Sequence, residues 1–347
     1  MSKKIFSKKF LLILSLVIFV ITVGVGCAKQ QSPTVVGALK PDSDGLIPIK
    51  TWSRTDCTST AWVVADQKGF LKKNGLKIVY TGATQPAGQI PSILAGDNDV
   101  GDWHPNTFAV AIAGGANLIG IGPEGIDPTK DVDPKYRHMW WFVSPKLAAQ
   151  GIKTFADLVN YKKGKKIKFS TITTNICADF IANNIADKEG LSRDRIEWDS
   201  MPDVQAVQAL SQGLVDVAGV HPPYYKAMLD AGNIKIADTY DSGLGITAGL
   251  QYYVVDKDWA KKNPEVARKF VKAMIEAQTW SNNNPKEAQD LTAKHIGQPI
   301  SASHYFATSA HIDDKLIIPW LKELEKNKVI PVGKLKPSDI ITHEYEQ

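Results

Sequence analysis

The chain has 347 residues, 44% of them hydrophobic and 22% charged, with a formal net charge of +5. Lys3, Lys4, Lys8 and Lys9 supply four of those charges, which leaves the rest near +1 without a basic patch interleaved with aromatics, so the chain is not read as a nucleic-acid binder. The roughly 300 residues after Leu46 exceed one ordinary domain and point to two lobes.

The N-terminus sets the compartment. The four lysines are followed by an uncharged apolar run of 14 residues, 10–23, and then by Gly24-Val25-Gly26-Cys27. A basic head, a short apolar core and small residues before a cut describe a secretory signal over 1–26, and a membrane span would need about 20 apolar residues. A cysteine at the cut resembles a bacterial lipoprotein signal. That resemblance implies a lipid on Cys27 and anchorage on the extracytoplasmic face of the cell membrane. Residues 27–45 are polar, lack any period and read as a flexible tether. The other two cysteines, Cys57 and Cys177, form no CxxC pair and are expected as free thiols.

Beyond the tether, strands and helices alternate. Strands are expected at 47–52, 76–80, 99–101 and 118–121, with helices at 60–73, 87–95 and 106–113 between them. The rhythm restarts at Lys166, with strands at 167–170, 196–198, 216–220 and 234–237 and helices at 178–189, 204–212 and 223–231. A last strand at 250–255 precedes helices at 264–282, 285–295 and 313–327, on which Trp280 and Trp320 read as core. Such alternation argues for a mostly parallel α/β architecture.

The two halves carry a repeat. Gly96, Asp99, Val100, His104, Pro105 and Gly115 recur as Gly213, Asp216, Val217, His221, Pro222 and Gly232, each pair 117 residues apart. Each half also sets a polar loop between a strand end and a helix start. In the first it holds Arg54, Asp56, Cys57, Thr58 and Ser59; in the second Thr171, Thr173, Thr174 and Asn175. Ligands of open α/β sheets bind at that edge, where unpaired helix N–H groups and the helix dipole favour a small anion. Thr58, Ser59, Thr174 and Asn175 serve equally well as helix caps. A second pair of loops holds Trp103, His104 and Asn106 in one half and His221, Tyr224 and Tyr225 in the other. Their rings could stack on a ligand and their imidazoles could donate to an anion. Each histidine could instead bond backbone.

Four stretches carry a family resemblance: AWVVADQKGFLKKNGL at 61–76, LSQGLVD at 210–216, NPEVARKF at 263–270 and WSNNNPKEA at 280–288. In order and spacing they resemble the substrate-binding proteins of nitrate, sulfonate, taurine and thiamine-precursor ABC importers. The resemblance implies a two-lobed type II periplasmic-binding-protein fold. Lobe one would be 46–143 with 245–347, lobe two 144–244, with two crossovers and the C-terminal helices on lobe one. It implies a monomer that captures a small organic anion at Arg54–Ser59 and Thr171–Asn175, without cofactor, and delivers it to permease and ATPase subunits. The His-Pro loops depart from the sulfonate-binder pattern, so an aromatic, thiamine-precursor-like or betaine ligand stays open. So does a metal or metal chelate held by Cys57, His104, Cys177 and His221, two Cys and two His being adequate ligands for a borderline cation. The chain has no Gly-x-Ser-x-Gly, His-Glu-x-x-His or P-loop motif. The same fold also serves a thiamine-precursor synthase, a reading that secretion disfavours; the chain is expected to bind and not to catalyse.

Overall fold

The computed structural model describes residues 37–54, 57–297 and 299–346; the side chains of Cys57 and Pro223 are outside that description. The signal and the lipidation site at Cys27 therefore lie outside the described residues, as does Asp56. Ten strands occur among them: β1 (Ile47–Thr51), β2 (Leu76–Tyr80), β3 (Gly101–Trp103), β4 (Leu118–Pro123), β5 (Trp140–Val143), β6 (Ile167–Thr171), β7 (Ile196–Ser200), β8 (Val217–Val220), β9 (Ile234–Asp238) and β10 (Tyr252–Asp256). β1 and β2 pair in parallel. A three-stranded sheet runs β3-β10-β4 and a five-stranded sheet runs β7-β6-β8-β5-β9.

The chain passes between the two larger sheets twice, from β4 to β5 and from β9 to β10. The strand that follows each passage runs backwards: β5 is antiparallel to β8 and β9, and β10 is antiparallel to β3 and β4. The expectation of mostly parallel sheets holds only for β1-β2 and β7-β6-β8. The lobe boundary was expected at 143. β5 ends there, yet it is ladder-bonded to β8 and β9, so the first passage lies between Pro123 and Trp140.

The 117-residue repeat has a structural counterpart. In the first half Asp99 N–H donates to the Lys50 carbonyl at 2.9 Å and its carboxylate accepts from Lys50 N–H at 2.7 Å. In the second half Asp216 makes the same pair with Lys168, both at 2.9 Å. Each Asp thus ties the approach to its strand (β3 or β8) to a neighbouring strand (β1 or β6). Each carboxylate satisfies a backbone donor that the short ladder leaves over.

Apolar clusters line both sheets. Trp62, Tyr253 and Phe270, all fully buried, meet with ring centroids 5.2–5.5 Å apart. Such aromatic pairs are worth about 0.5–1.5 kcal/mol each beyond area burial. The helix expected over 60–73 is two helices, Thr60–Gln67 and Phe70–Lys73. Gly69 between them has φ 78°, a conformation a side chain resists. The helices Pro264–Asn283 and Pro285–Ile296 pack along Thr60–Gln67. Helix Ile318–Lys326 lays Leu321 and Leu324 on the β3-β10-β4 side, while its buried Trp320 joins the apolar cluster around Phe169 and Phe180. Trp280 is only half-buried, with Lys68 Nζ 4.7 Å from its ring.

The tether expected over 27–45 is docked at its far end. Leu39 packs on the first apolar cluster and its N–H donates to Asn263 Oδ1 at 2.6 Å, while Asp42 and Asp44 pair with Lys77.

Candidate functional site: a buried histidine and cysteine cluster

His104 and His221, the repeated pair, each stand directly before a helical turn opened by proline, His104 before Pro105–Ala113 and His221 before Pro222–Tyr224. Proline at a first helical position forfeits no hydrogen bond, and it aims the preceding residue away from the helix. The result brings both imidazoles to one place. His138 lies between them, its ring centroid 4.7 Å from His104 and 5.1 Å from His221. His304 is 5.0 Å from His138 on the same measure. Cys177, the first residue of helix Cys177–Glu189, places Sγ 3.5 Å from His221 Nε2. One ligand atom each from His104, His138 and Cys177 fall within 4.8 Å of one another.

Outer partners fix two of the rings. His104 Nδ1 lies 2.7 Å from the Leu250 carbonyl, and its ring stacks on Trp320 at 5.2 Å. A carbonyl only accepts, so Nδ1 carries the proton and Nε2 keeps the lone pair in the neutral ring. His221 Nδ1 is 2.6 Å from Asp203 Oδ2, which also accepts from His221 N–H at 2.9 Å. The same logic leaves His221 Nε2 facing the thiol. His138 is positioned through its backbone, its N–H donating to Asp127 Oδ1 at 2.8 Å. Its Nε2 and both ring nitrogens of His304 are buried with no hydrogen-bond partner among the described residues.

Charge is distributed unevenly over this cluster. Burial would raise the Cys177 thiol, but the neighbouring His104 and His221 outweigh it and draw it down to about 6. Burial would lower His221, yet the Asp203 carboxylate and Cys177 hold it well above the ordinary histidine range. Burial, reinforced by the adjacent imidazoles, holds His138 and His304 well below that range, so both are neutral. A thiol inclined to ionise, together with the neutral rings of His138 and His304, is a soft, electron-donating set.

The sequence-predicted residues divide. His104 and His221 come together, with Cys177 between the same loops; Cys57, the fourth member of the metal reading, has no described side chain. Arg54 is buried but committed. Its guanidinium donates to both Asp102 oxygens at 2.6–3.1 Å, to Thr51 Oγ1 and to the Trp52 carbonyl, and lies over the Trp52 and Trp62 rings. Its charge is neutralised inside the protein by Asp102. Thr58 is half-buried and Ser59 buried at the start of helix Thr60–Gln67. Trp103 is buried against Trp52, with Nε1 donating to Gln89 Oε1 at 3.1 Å. Asn106 is buried and its Oδ1 lacks a partner among the described residues. Thr171 Oγ1 donates to the Thr173 carbonyl, while the Thr173 and Thr174 side chains are exposed. Asn175 N–H and Ile176 N–H donate to Asp179, whose carboxylate occupies the helix start where an anion was expected. Tyr224 is half-buried, packed against the cluster around Leu210 and Met228; Tyr225 is buried, stacked on Trp140 at 4.2 Å with its hydroxyl donating to the Arg137 carbonyl. Sequence reasoning missed His138 and His304. Neither sits in a repeat or a motif; the one signal was Arg137-His138 directly ahead of an apolar run that proves to be β5.

Comparison with known proteins now places the chain. The model of the NMT1-like family matches residues 49–297. The chain belongs to the NMT1-like family. A relative from Brucella abortus, named only as a binding protein, is 24% identical over 253 residues, 72% of each chain. Among solved structures, the periplasmic aliphatic sulphonate binding protein SsuA from Escherichia coli superposes with a TM-score of 0.64 at 19% identity, covering 85% of this chain and 92% of that one. The periplasmic nitrate-binding protein NrtA from Synechocystis PCC 6803 gives 0.66 at 13% identity, covering 86% of each. This NMT1-like chain therefore has the mixed α/β fold of the periplasmic binding proteins.

Proposed function

We propose that this chain is the solute-capture subunit of an ABC-type importer, held outside the cytoplasm by a lipid on Cys27, and that it binds without catalysing. The observation that carries the reading is the convergence of His104 and His221. They follow β3 and β8, strands of two different sheets, and meet around His138. Polar strand ends that converge from two sheets are where α/β proteins take ligands. His138 and His304 are each 3% exposed, so a solute reaches them only when the sheets part and is enclosed when they close. That is the hinge logic of binding proteins, in which the closed form is what a permease meets. The names of the solved relatives support a small oxyanion as one class of solute. The exposed Thr173 and Thr174 at the entrance to helix Cys177–Glu189 offer hydroxyl donors of the kind an oxyanion takes.

The test is a thermal-shift panel on the purified protein with sulfonates, nitrate, carboxylates, betaines, pyrimidines and divalent metals. A ligand at 100 times its Kd stabilises by about 2.7 kcal/mol, a shift of several degrees. One class raising Tm saturably supports capture. A flat response across every class sinks it.

A further inference from the structure

We infer that His104, His138, Cys177 and His221 together bind one divalent transition-metal ion of borderline softness, with zinc as the reference member. The inference deepens the capture reading and rests on it only for the ion's fate, making the ion, bare or chelated, the solute.

Geometry comes first. The donors arrive from four separate stretches of chain; three of them stand within 4.8 Å of one another, and the fourth, His221, stands against Cys177. Zinc takes sulfur at about 2.3 Å and nitrogen at about 2.1 Å in a tetrahedron, which sets the sulfur and nitrogen about 3.6 Å apart. Cys177 Sγ and His221 Nε2 stand at 3.5 Å. His104, His138 and Cys177, within 4.8 Å, need to draw in by about 1 Å to share the same ion.

The outer partners come second. A ligating imidazole typically donates its other N–H to a carboxylate or a backbone carbonyl, which fixes the tautomer and raises basicity. His104 has the Leu250 carbonyl and His221 has Asp203 in those places. An anion would find little here. Arg54 is tied to Asp102, Arg137 beside His138 is paired with Asp127 and the Pro128 carbonyl, and the Asp203 carboxylate already lies against His221.

Third is the cost of leaving the set unused. His138 Nε2 and both nitrogens of His304 are buried and unpartnered among the described residues, and each such group costs about 1–3 kcal/mol. A cation turns His138 Nε2 from a liability into a ligand. His304, 5.0 Å from His138, is the remaining donor, placed for a fifth position or for the free edge of a chelate.

The experiment uses purified protein freed of metal with a chelator and titrated with Co²⁺ and Zn²⁺. One equivalent of Co²⁺ is expected to give the intense visible bands of tetrahedral cobalt and a near-ultraviolet thiolate-to-cobalt band, both displaced by Zn²⁺. Cys177→Ser, close to isosteric and checked by circular dichroism, should abolish the near-ultraviolet band. His138→Ala should weaken Zn²⁺ binding at least 100-fold, and Asp203→Asn 10–100-fold as an outer-partner change does. The surface trio His311, His343 and Glu346, its histidines exposed and Glu346 half-buried, is the competing explanation. His311→Ala with His343→Ala should therefore leave stoichiometry and spectrum unchanged. No saturable binding, a thiolate band that survives Cys177→Ser, or binding that vanishes with the His311 and His343 pair overturns the inference. Failure here while an anion or a betaine raises Tm leaves the capture reading standing; failure of metals and of the whole panel ends both.

Discussion

Arg54 and Asp102 form a buried ion pair, its guanidinium and carboxylate 2.6 Å apart at closest approach. A cation at a helix start looks like an anion anchor until Asp102, 48 positions on, takes three of its contacts. Asp102 accepts from Trp62 Nε1 as well, at 3.0 Å, and the pair is about 5% exposed. Breaking a buried ion pair from one side leaves an unpaired charge and costs about 3–5 kcal/mol, whereas replacing both partners by apolar groups is often neutral. Asp102→Ala should thus lower the unfolding free energy by about that amount, while Arg54→Met combined with Asp102→Leu should recover most of it. Denaturant unfolding of the three proteins measures this; equal losses in single and double variants would show the pair is not what holds the site together. The same distance problem hid His138 and His304. His104 and His221 were legible because the repeat doubled their signal, but a lone histidine in a loop has no period to betray it.

At the scale of elements, most strands and helices were legible from periodicity and glycine or proline punctuation, and the failures have local causes. β5 is four residues of unbroken apolar chain, Trp140-Trp141-Phe142-Val143, paired on both edges and buried from Trp141 onward, so it shows no alternation. The break at Gly69 is a backbone conformation that composition alone does not mark. The repeated Asp-Val strands did carry over, and they give a prediction with a pH sign. Burial raises the Asp99 carboxyl above its ordinary value, against the opposing bonds from Lys50 and Trp259. A carboxyl whose folded pKa is raised holds its proton in the native state where the unfolded chain has lost it. Its contribution therefore favours folding more as pH falls through the folded value towards the unfolded one near 3.9. Asn at this position cannot titrate. The stability of wild type minus that of Asp99→Asn should consequently be larger at pH 4.5 than at pH 7.5, measured by chemical denaturation at both. A difference independent of pH would mean that Asp99 is charged throughout.

For the whole molecule the two passages between sheets decide how the cluster opens. They are bonded to each other: Glu124 N–H donates to the Gln251 carbonyl at 2.8 Å, Gln251 N–H to Gly125 at 2.9 Å, and Asp127 N–H to Ile246 at 3.0 Å. Gly249 sits where they touch. A Cβ there would lie 2.5 Å from Asp127 N and 2.6 Å from the Ile126 carbonyl carbon, both backbone atoms that cannot swing aside. The passages must separate to admit even a methyl group. Overpacking of this kind costs about 1–3 kcal/mol. Its consequence for function follows from the next residue, since the Leu250 carbonyl orients His104 and the neighbouring Asp127 holds His138 by its backbone. Gly249→Ala should therefore lower Tm and, at a temperature where the variant is still folded, weaken ligand or Co²⁺ binding at least tenfold, although the substituted atom touches neither. Binding measured at 10 °C alongside unfolding separates the two effects. A variant that loses stability yet binds as wild type does would show that the passages brace the fold without setting the spacing of the histidines.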